Sequence, residues 1–151
     1  MILFIYCAGG LGKEVFDIAS RINNLDNRWD EISFVDDTEG LGDNCYFGRL
    51  LKFEKILAEY GGDDLEFVIA NGEPVVREKL YMKLKENNLK IISLIDPLAS
   101  ISPSANIGYG LIAYPYSIIG SDASIGNNVL VNAGAIIGHD IIVGHNTVIS
   151  P

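Results

Sequence analysis

Two short stretches of this 151-residue chain carry side chains suited to chemistry. The first is the run Asn132-Ala133-Gly134-Ala135-Ile136-Ile137-Gly138-His139-Asp140. An imidazole accepts a proton near neutrality, and a neighbouring carboxylate can hold the ring in one tautomer and raise its basicity. His139 and Asp140 are therefore candidates for a general base and its assistant, although such pairs at turns are often only solvated surface. No Ser or Cys with triad spacing accompanies them, so the simplest scheme is direct transfer to an acceptor that His139 deprotonates. The second stretch is Ala8-Gly9-Gly10-Leu11-Gly12, a glycine-rich turn opening a helix, where free backbone amides could bind a diphosphate or simply make a tight turn. Asp36-Asp37 follows the second expected strand, where carboxylates can accept hydrogen bonds from a ribose or a base.

Composition narrows the partners. A formal charge of -9 argues against nucleic acid, because no basic groove could neutralise a phosphate backbone. It does not argue against small phosphorylated molecules, which backbone amides bind without Lys or Arg. Cys7 and Cys45 lack both zinc spacing and a disulfide framework, and they suit a reducing compartment. The apolar opening MILFIYCA is too short to span a membrane and has no basic flank, so it reads as a buried first strand of a cytoplasmic protein.

The elements that must position these groups come in two grammars. Up to about Leu94, apolar runs alternate with helical patterns. Strands are expected at Ile2 to Tyr6, Ile32 to Val35, Leu65 to Ala70 and Ile91 to Ile95. Helices are expected at Lys13 to Ile22, at Leu50 to Tyr60, and from Pro74 to about Asn87. Alternation of this kind implies a parallel sheet of βαβ units, a small Rossmann-like domain.

From Ile101 the period becomes six. Ile101, Ile107, Ala113, Ile119, Ile125, Val131, Ile137, Val143 and Ile149 mark the repeat, glycine follows the mark at 108, 120, 126, 138 and 144, and small residues often stand two before it. Neither a strand nor a helix has this period, whereas a solenoid of three six-residue faces does. The aliphatic residue should point inward on each face, the small one should fit a corner, and glycine should permit unusual dihedrals.

These motifs, in this order, resemble the NeuD/PglD-type sugar O- or N-acyltransferases of the hexapeptide-repeat class. The likeness runs through the glycine loop, Phe34-Val35-Asp36-Asp37, Asn71-Gly72 with Arg77, Asp96-Pro97, Ile101-Ser102-Pro103-Ser104-Ala105, Val131-Asn132 to His139-Asp140, and Ile149-Ser150-Pro151. It implies a Rossmann-like nucleotide-sugar domain at 1–94 and a left-handed parallel β-helix at 95–151. It implies His139 as catalytic base, Asp140 as the residue that increases its basicity, and Asn132 in the same site. Gly9, Gly10 and Leu11 would cradle the sugar-nucleotide phosphates, Asp36 and Asp37 would contact the nucleoside, and Gly72 would be a further substrate-loop glycine. Acetyl-CoA would be the co-substrate and a homotrimer the assembly. The sequence departs from the family at Cys7, where a loop glycine is usual, and at Leu11 and Val148, where histidines are common.

Family members continue past Ser-Pro with more coils, so the chain is expected to be truncated after its first coils. Two readings follow. One is an acetyl-CoA-dependent acetyltransferase acting on a 4-amino sugar or a sialic-acid-type acceptor. The other is a catalytically incomplete nucleotide-sugar-binding fragment without the acetyl-CoA coils. A purely structural solenoid is disfavoured, because it needs neither the glycine loop nor the paired acids at strand ends.

Overall fold

The structure, a computed structural model, describes residues 1–41, 44–45, 48–61 and 64–151; the side chain of Cys45 lies outside the described residues. β1 (Ile2–Tyr6) is central, paired in parallel with β2 (Glu31–Val35) on one side and β5 (Leu65–Ile69) on the other. β4 (Gly48–Leu51) adds to β2, β6 (Lys90–Ile91) adds to β5, and β3 (Asn44–Cys45) pairs antiparallel with β4. Helices α1 (Gly10–Asp26), α2 (Phe53–Glu59) and α3 (Pro74–Glu86) complete this half.

Along β1, Leu3 and Ile5 face one core while Phe4 and Tyr6 face another, as expected of a strand covered on both sides. One face receives α1 through Val15, Ile18 and Ala19. The opposite face is filled by Phe53, Ile56 and Leu84 of α2 and α3.

Two expectations need correction. Leu50 and Leu51 lie in β4, and α2 starts only at Phe53. Leu50 has helical spacing with Phe53, but Leu50 and Leu51 point to opposite cores, as consecutive strand residues do, and their backbone pairs with β2. The expected strand Ile91 to Ile95 is likewise split. β6 ends at Ile91 on the first sheet, and β7 (Leu94–Ile95) is already the first rung of the solenoid.

The solenoid's rungs are β7, β8 (Ser100–Ile101), β9 (Asn106–Ile107), β10 (Ile112–Ala113), β11 (Ile118–Ile119), β12 (Ser124–Ile125), β13 (Leu130–Val131), β14 (Ile136–Ile137), β15 (Ile142–Val143) and β16 (Val148–Ile149). They stack in parallel as three sheets, and each rung pairs with the one eighteen residues away, as Ile112 does with Leu94 and Leu130. The marked residues Ala113, Ile119, Ile125, Val131, Ile137 and Val143 are buried along the axis, so the period of six is the period of the interior. The face carrying Leu94, Ile112 and Leu130 turns these side chains outward into the same core as α1, which joins the two halves. The other two faces leave Ile118, Ile136 and Ile142 exposed.

The glycines have a different task from the one expected. The left-handed backbone occurs three residues after the marks from Ile107 to Val143, at Gly110, Tyr116, Asp122, Asn128, Gly134, Asp140 and Asn146, with φ between 58° and 76°. Glycine after the mark serves close stacking instead. A Cβ on Gly120 would lie 2.8 Å from the backbone of Gly138 and His139, and one on Gly126 would lie 2.7 Å from the His145 nitrogen. At Gly138 the nearest atom would be 3.9 Å away. In this chain Gly120→Ala is therefore expected to cost about 2 kcal/mol or more, and Gly138→Ala about 0.5 kcal/mol or less. Thermal melting of both variants checks this, and equal losses would refute the stacking account.

Polar clamps reinforce the junction. Arg77 of α3 is fully buried and donates through Nη1 to the carbonyls of Ile69 and Asn71, at 2.7 and 2.9 Å. Its Nε and Nη2 reach the carbonyl and the side-chain oxygen of Asn128 in a solenoid corner, at 3.0 and 2.8 Å. Arg21 of α1 pairs with the buried Asp96 at 2.7 Å. Among the described residues no helix is long and apolar enough to cross a membrane.

Candidate functional site

The chain leaves β1 toward β2 on one side, and β5 lies on the other. The loops after β1 and β5 therefore diverge and open a crevice at the carboxyl ends of the strands, where α/β sheets place their ligands. A cavity of about 690 Å³ lies there. Gly9, Gly10, Leu11, Asp36, Asp37 and Gly72, the residues singled out as substrate-binding, all line it. Asn71, which the motif pairs with Gly72, lines it as well, as do Tyr6, Thr38, Lys79 and Lys83, which the sequence reading missed. Tyr6 reads there as an interior strand residue, and Lys79 and Lys83 as the solvated side of a helix. Their spacing of four, one helical turn, was the available signal.

The glycine loop is stereochemically demanding. Gly10, Leu11 and Gly12 form the first turn of α1, so their amides have no intrahelical partner, and among the described residues no side chain caps the helix. A Cβ on Gly12 would lie 2.2 Å from the Cys7 carbonyl oxygen, which explains the third glycine. Cys7 itself adopts φ 84°, a conformation natural for glycine and strained for cysteine. Burial pushes its thiol above the ordinary range and outweighs the 3.6 Å contact that its sulfur takes from Asn71 Nδ2, so it is held as a neutral thiol.

The acidic pair is tied into the loop. Asp36 accepts the amides of Ala8 and Thr38, both at 2.9 Å. Asp37 accepts the Phe53 amide through Oδ1, and the Tyr6 hydroxyl and Lys83 ammonium through Oδ2. Burial opposes ionisation of both carboxyls, but these hydrogen bonds outweigh it and hold both below the usual carboxylate range.

His139 and Asp140 sit at a solenoid corner, with 83% and 72% of their side chains exposed. His139 Nδ1 lies 2.6 Å from Asp140 Oδ2. With Nδ1 donating to the carboxylate, Nε2 keeps its lone pair and faces away from that partner. The left-handed backbone at Asp140, φ 59°, and its amide bond to the Ser121 carbonyl fix this corner. Asn132 borders a different cavity of about 370 Å³, shared with Glu14, Arg21 and Tyr114 between α1 and the solenoid. Within one chain, then, the six crevice residues come together, the His139–Asp140 pair stands apart from them, and Asn132 lines a third place. His145 has a structural explanation: its Nδ1 accepts the Asn127 amide at 2.8 Å, as Asn127 Oδ1 accepts that of Tyr109 one coil earlier.

The family model for the PglD N-terminal domain matches residues 2–84, more than half of the chain. The chain belongs to the PglD N-terminal domain family. The NeuD/PglD resemblance drawn from its motifs therefore holds. Solved structures extend the likeness over the solenoid. The acetyltransferase domain of PglB from Neisseria gonorrhoeae is 25% identical and superposes with a TM-score of 0.88, the match covering 99% of this chain and 71% of that one. WeeI from Acinetobacter baumannii is 25% identical with a TM-score of 0.85, covering 98% of this chain and 68% of that one. PerB from Caulobacter crescentus, solved with CoA and GDP-perosamine, shares the fold at 24% identity and a TM-score of 0.82, with coverage of 98% and 68%. A Rossmann-like sheet followed by coils of a left-handed β-helix is thus the architecture of this PglD-family chain, as of the solved acetyltransferases.

Proposed function

We propose that this chain is an acetyl-CoA-dependent acetyltransferase whose acceptor is a sugar or nucleotide-sugar with a free amine or hydroxyl. The observation that carries the reading is the His139–Asp140 pair at 2.6 Å, with its second ring nitrogen open to a substrate. In the division of labour we infer, residues 1–94 hold the nucleotide-sugar in the crevice and residues 95–151 supply the base. The amides of Gly9, Gly10 and Leu11 hold the diphosphate, Asp36 and Asp37 the nucleoside side, and Gly72 leaves room for the ligand's approach. Acetyl-CoA is a second substrate, a role supported by the PglB domain, which was also solved with acetyl coenzyme A at 25% identity.

His139 Nε2 takes the proton of the acceptor nitrogen or oxygen as that atom bonds to the thioester carbonyl carbon. The imidazolium, stabilised by Asp140, then returns the proton to the sulfur as the carbon–sulfur bond breaks. The products are the acetylated sugar and free CoA thiol. Among the described residues the cavity lining includes none from the solenoid, so an acceptor held there meets a His139 most simply across an interface between copies of the chain. The exposed Ile118, Ile136 and Ile142 support such an interface, and we assign a homotrimer.

The experiment is to incubate the chain with acetyl-CoA and a panel of nucleotide-linked 4-amino sugars, with sialic acid as the hydroxyl acceptor. Thiol release and the acetylated product are followed by mass spectrometry, and oligomer mass by light scattering. Turnover on at least one acceptor, from a species three times the 16.4 kDa chain, is expected. Binding of a nucleotide-sugar without turnover on any acceptor would replace this reading with that of a binding-only fragment.

A further inference from the structure

Resting on the nucleotide-sugar reading above, the geometry points to Lys83 as the residue that selects the nucleobase, favouring one that presents a keto oxygen over one that presents an amino group. The two ends of the crevice differ in electrostatics, and this orients a nucleotide. At one end the uncapped N-terminus of α1, with no acidic residue in its first turn, offers free amides and a partial positive charge to phosphates. Beside the loop, at the carboxyl end of β2, stand the carboxylates of Asp36 and Asp37, which their hydrogen bonds keep ionised and which repel phosphates, so the nucleoside lies on the β2 side.

Lys83 borders the cavity on the nucleoside side. Its ammonium donates to Tyr6 Oη at 2.9 Å and to Asp37 Oδ2 at 2.9 Å, and it lies 4.4 Å from the centre of the Phe53 ring. An ammonium has three donors and no acceptor. Two donors are spent inside the protein, and the Asp37 partner balances the charge. Among the described residues no third acceptor meets the ammonium, which three contacts hold in place, and its remaining N–H suits a neutral acceptor better than an anion. The groups bonded to this ammonium are engaged with one another. The Tyr6 hydroxyl gives its proton to Asp37 and uses its oxygen to accept from Lys83. Each Asp36 oxygen already accepts one backbone amide, and its remaining lone pair serves a ribose hydroxyl. A keto oxygen of uracil, thymine or a 6-oxopurine satisfies the free donor. An amino group of cytosine or adenine sets donor against donor.

The test is calorimetric binding of UDP against CDP, and of inosine diphosphate against ADP, pairs that exchange keto for amino on an otherwise matched ring. For the unaltered 151-residue chain, the keto member of at least one pair should bind about tenfold or more tightly, the scale of one hydrogen bond to a charged donor. Lys83→Met should bring that ratio close to one by weakening the keto member, and Lys83→Arg should retain the preference. Nucleotides that bind without preference to the unaltered chain, or a preference that survives in Lys83→Met, would overturn the inference while leaving the proposed function standing. Failure of every nucleotide to bind at millimolar concentration would overturn both.

Discussion

His139→Ala is expected to lower the rate of acetyl transfer by about a thousandfold, within the span that general-base catalysis supplies. The same substitution should leave nucleotide-sugar affinity unchanged within about twofold, because His139 is no part of the crevice that we assign to that ligand. Its side chain is largely exposed and its polar contact is to Asp140, so truncation removes a base without opening a core. Asp140→Asn should cost less, on the order of tenfold to a hundredfold, the range seen when a group orienting a functional imidazole is lost. It keeps a short polar side chain at a left-handed position that Asn tolerates. Steady-state turnover beside a binding titration separates the effects. A His139→Ala variant retaining more than about a tenth of the wild-type rate would sink the proposed mechanism.

Arg77→Met carries the largest expected loss of stability, about 3 kcal/mol or more. The guanidinium donates to the carbonyls of Ile69, Asn71 and Asn128 and to the Asn128 side chain, and methionine of similar length leaves these acceptors unpaired. Burial also pulls the arginine pKa down to about 10, so the cation is desolvated at a cost, yet it remains protonated at neutral pH. Relief of that cost offsets part of the loss, which is why the expected figure is below the sum of the broken bonds. A fall in melting temperature of roughly 6 °C or more should follow for a chain of this size. The crevice should also suffer, since Asn71 borders the cavity and Arg77 holds its carbonyl. A melting temperature unchanged within about 2 °C would show that the clamp contributes little.

Much of this architecture is legible in the residues, for identifiable reasons. The period of six survives because each marked side chain fills the same axial space, and no other backbone geometry repeats on that count. Ile2 to Tyr6 is legible because a strand covered on both faces is apolar without interruption. Leu50 and Ile91 to Ile95 misled because short apolar runs look alike in strand, helix and rung, and only the pairing partner decides. The role of the glycines was misread for a related cause: contact with the next coil is invisible until coils are stacked, whereas Asn and Asp adopt the left-handed corners on their own.

The site divides in the same way. Adjacent residues such as His139 and Asp140 need only a corner to meet, so their pairing could be anticipated. Gly9, Gly10, Leu11, Asp36, Asp37 and Gly72 converge because strand ends on both sides of β1 open one crevice. Tyr6, Lys79 and Lys83 escaped notice because a helix following β5 brings cations back over a strand whose tyrosine looks purely structural. The position of Asn132 depends on how α1 lies against the solenoid, and no local pattern encodes that.

The core shared by α1 and the solenoid bears on how such chains can be recombined. Leu3, Ile5, Val15 and Ile18 pack in the same cluster as Leu94, Ile112 and Leu130, so the apolar face of the first half is completed by the second. A cut between residues 94 and 95, where the two grammars meet, would run through a rung and strip that face. The functional labour we propose divides at this point, but the folding unit does not. A chimera that exchanges the ligand-holding half for another must therefore carry matching side chains at 112 and 130, and in this fold modular chemistry rests on an interior that is not modular.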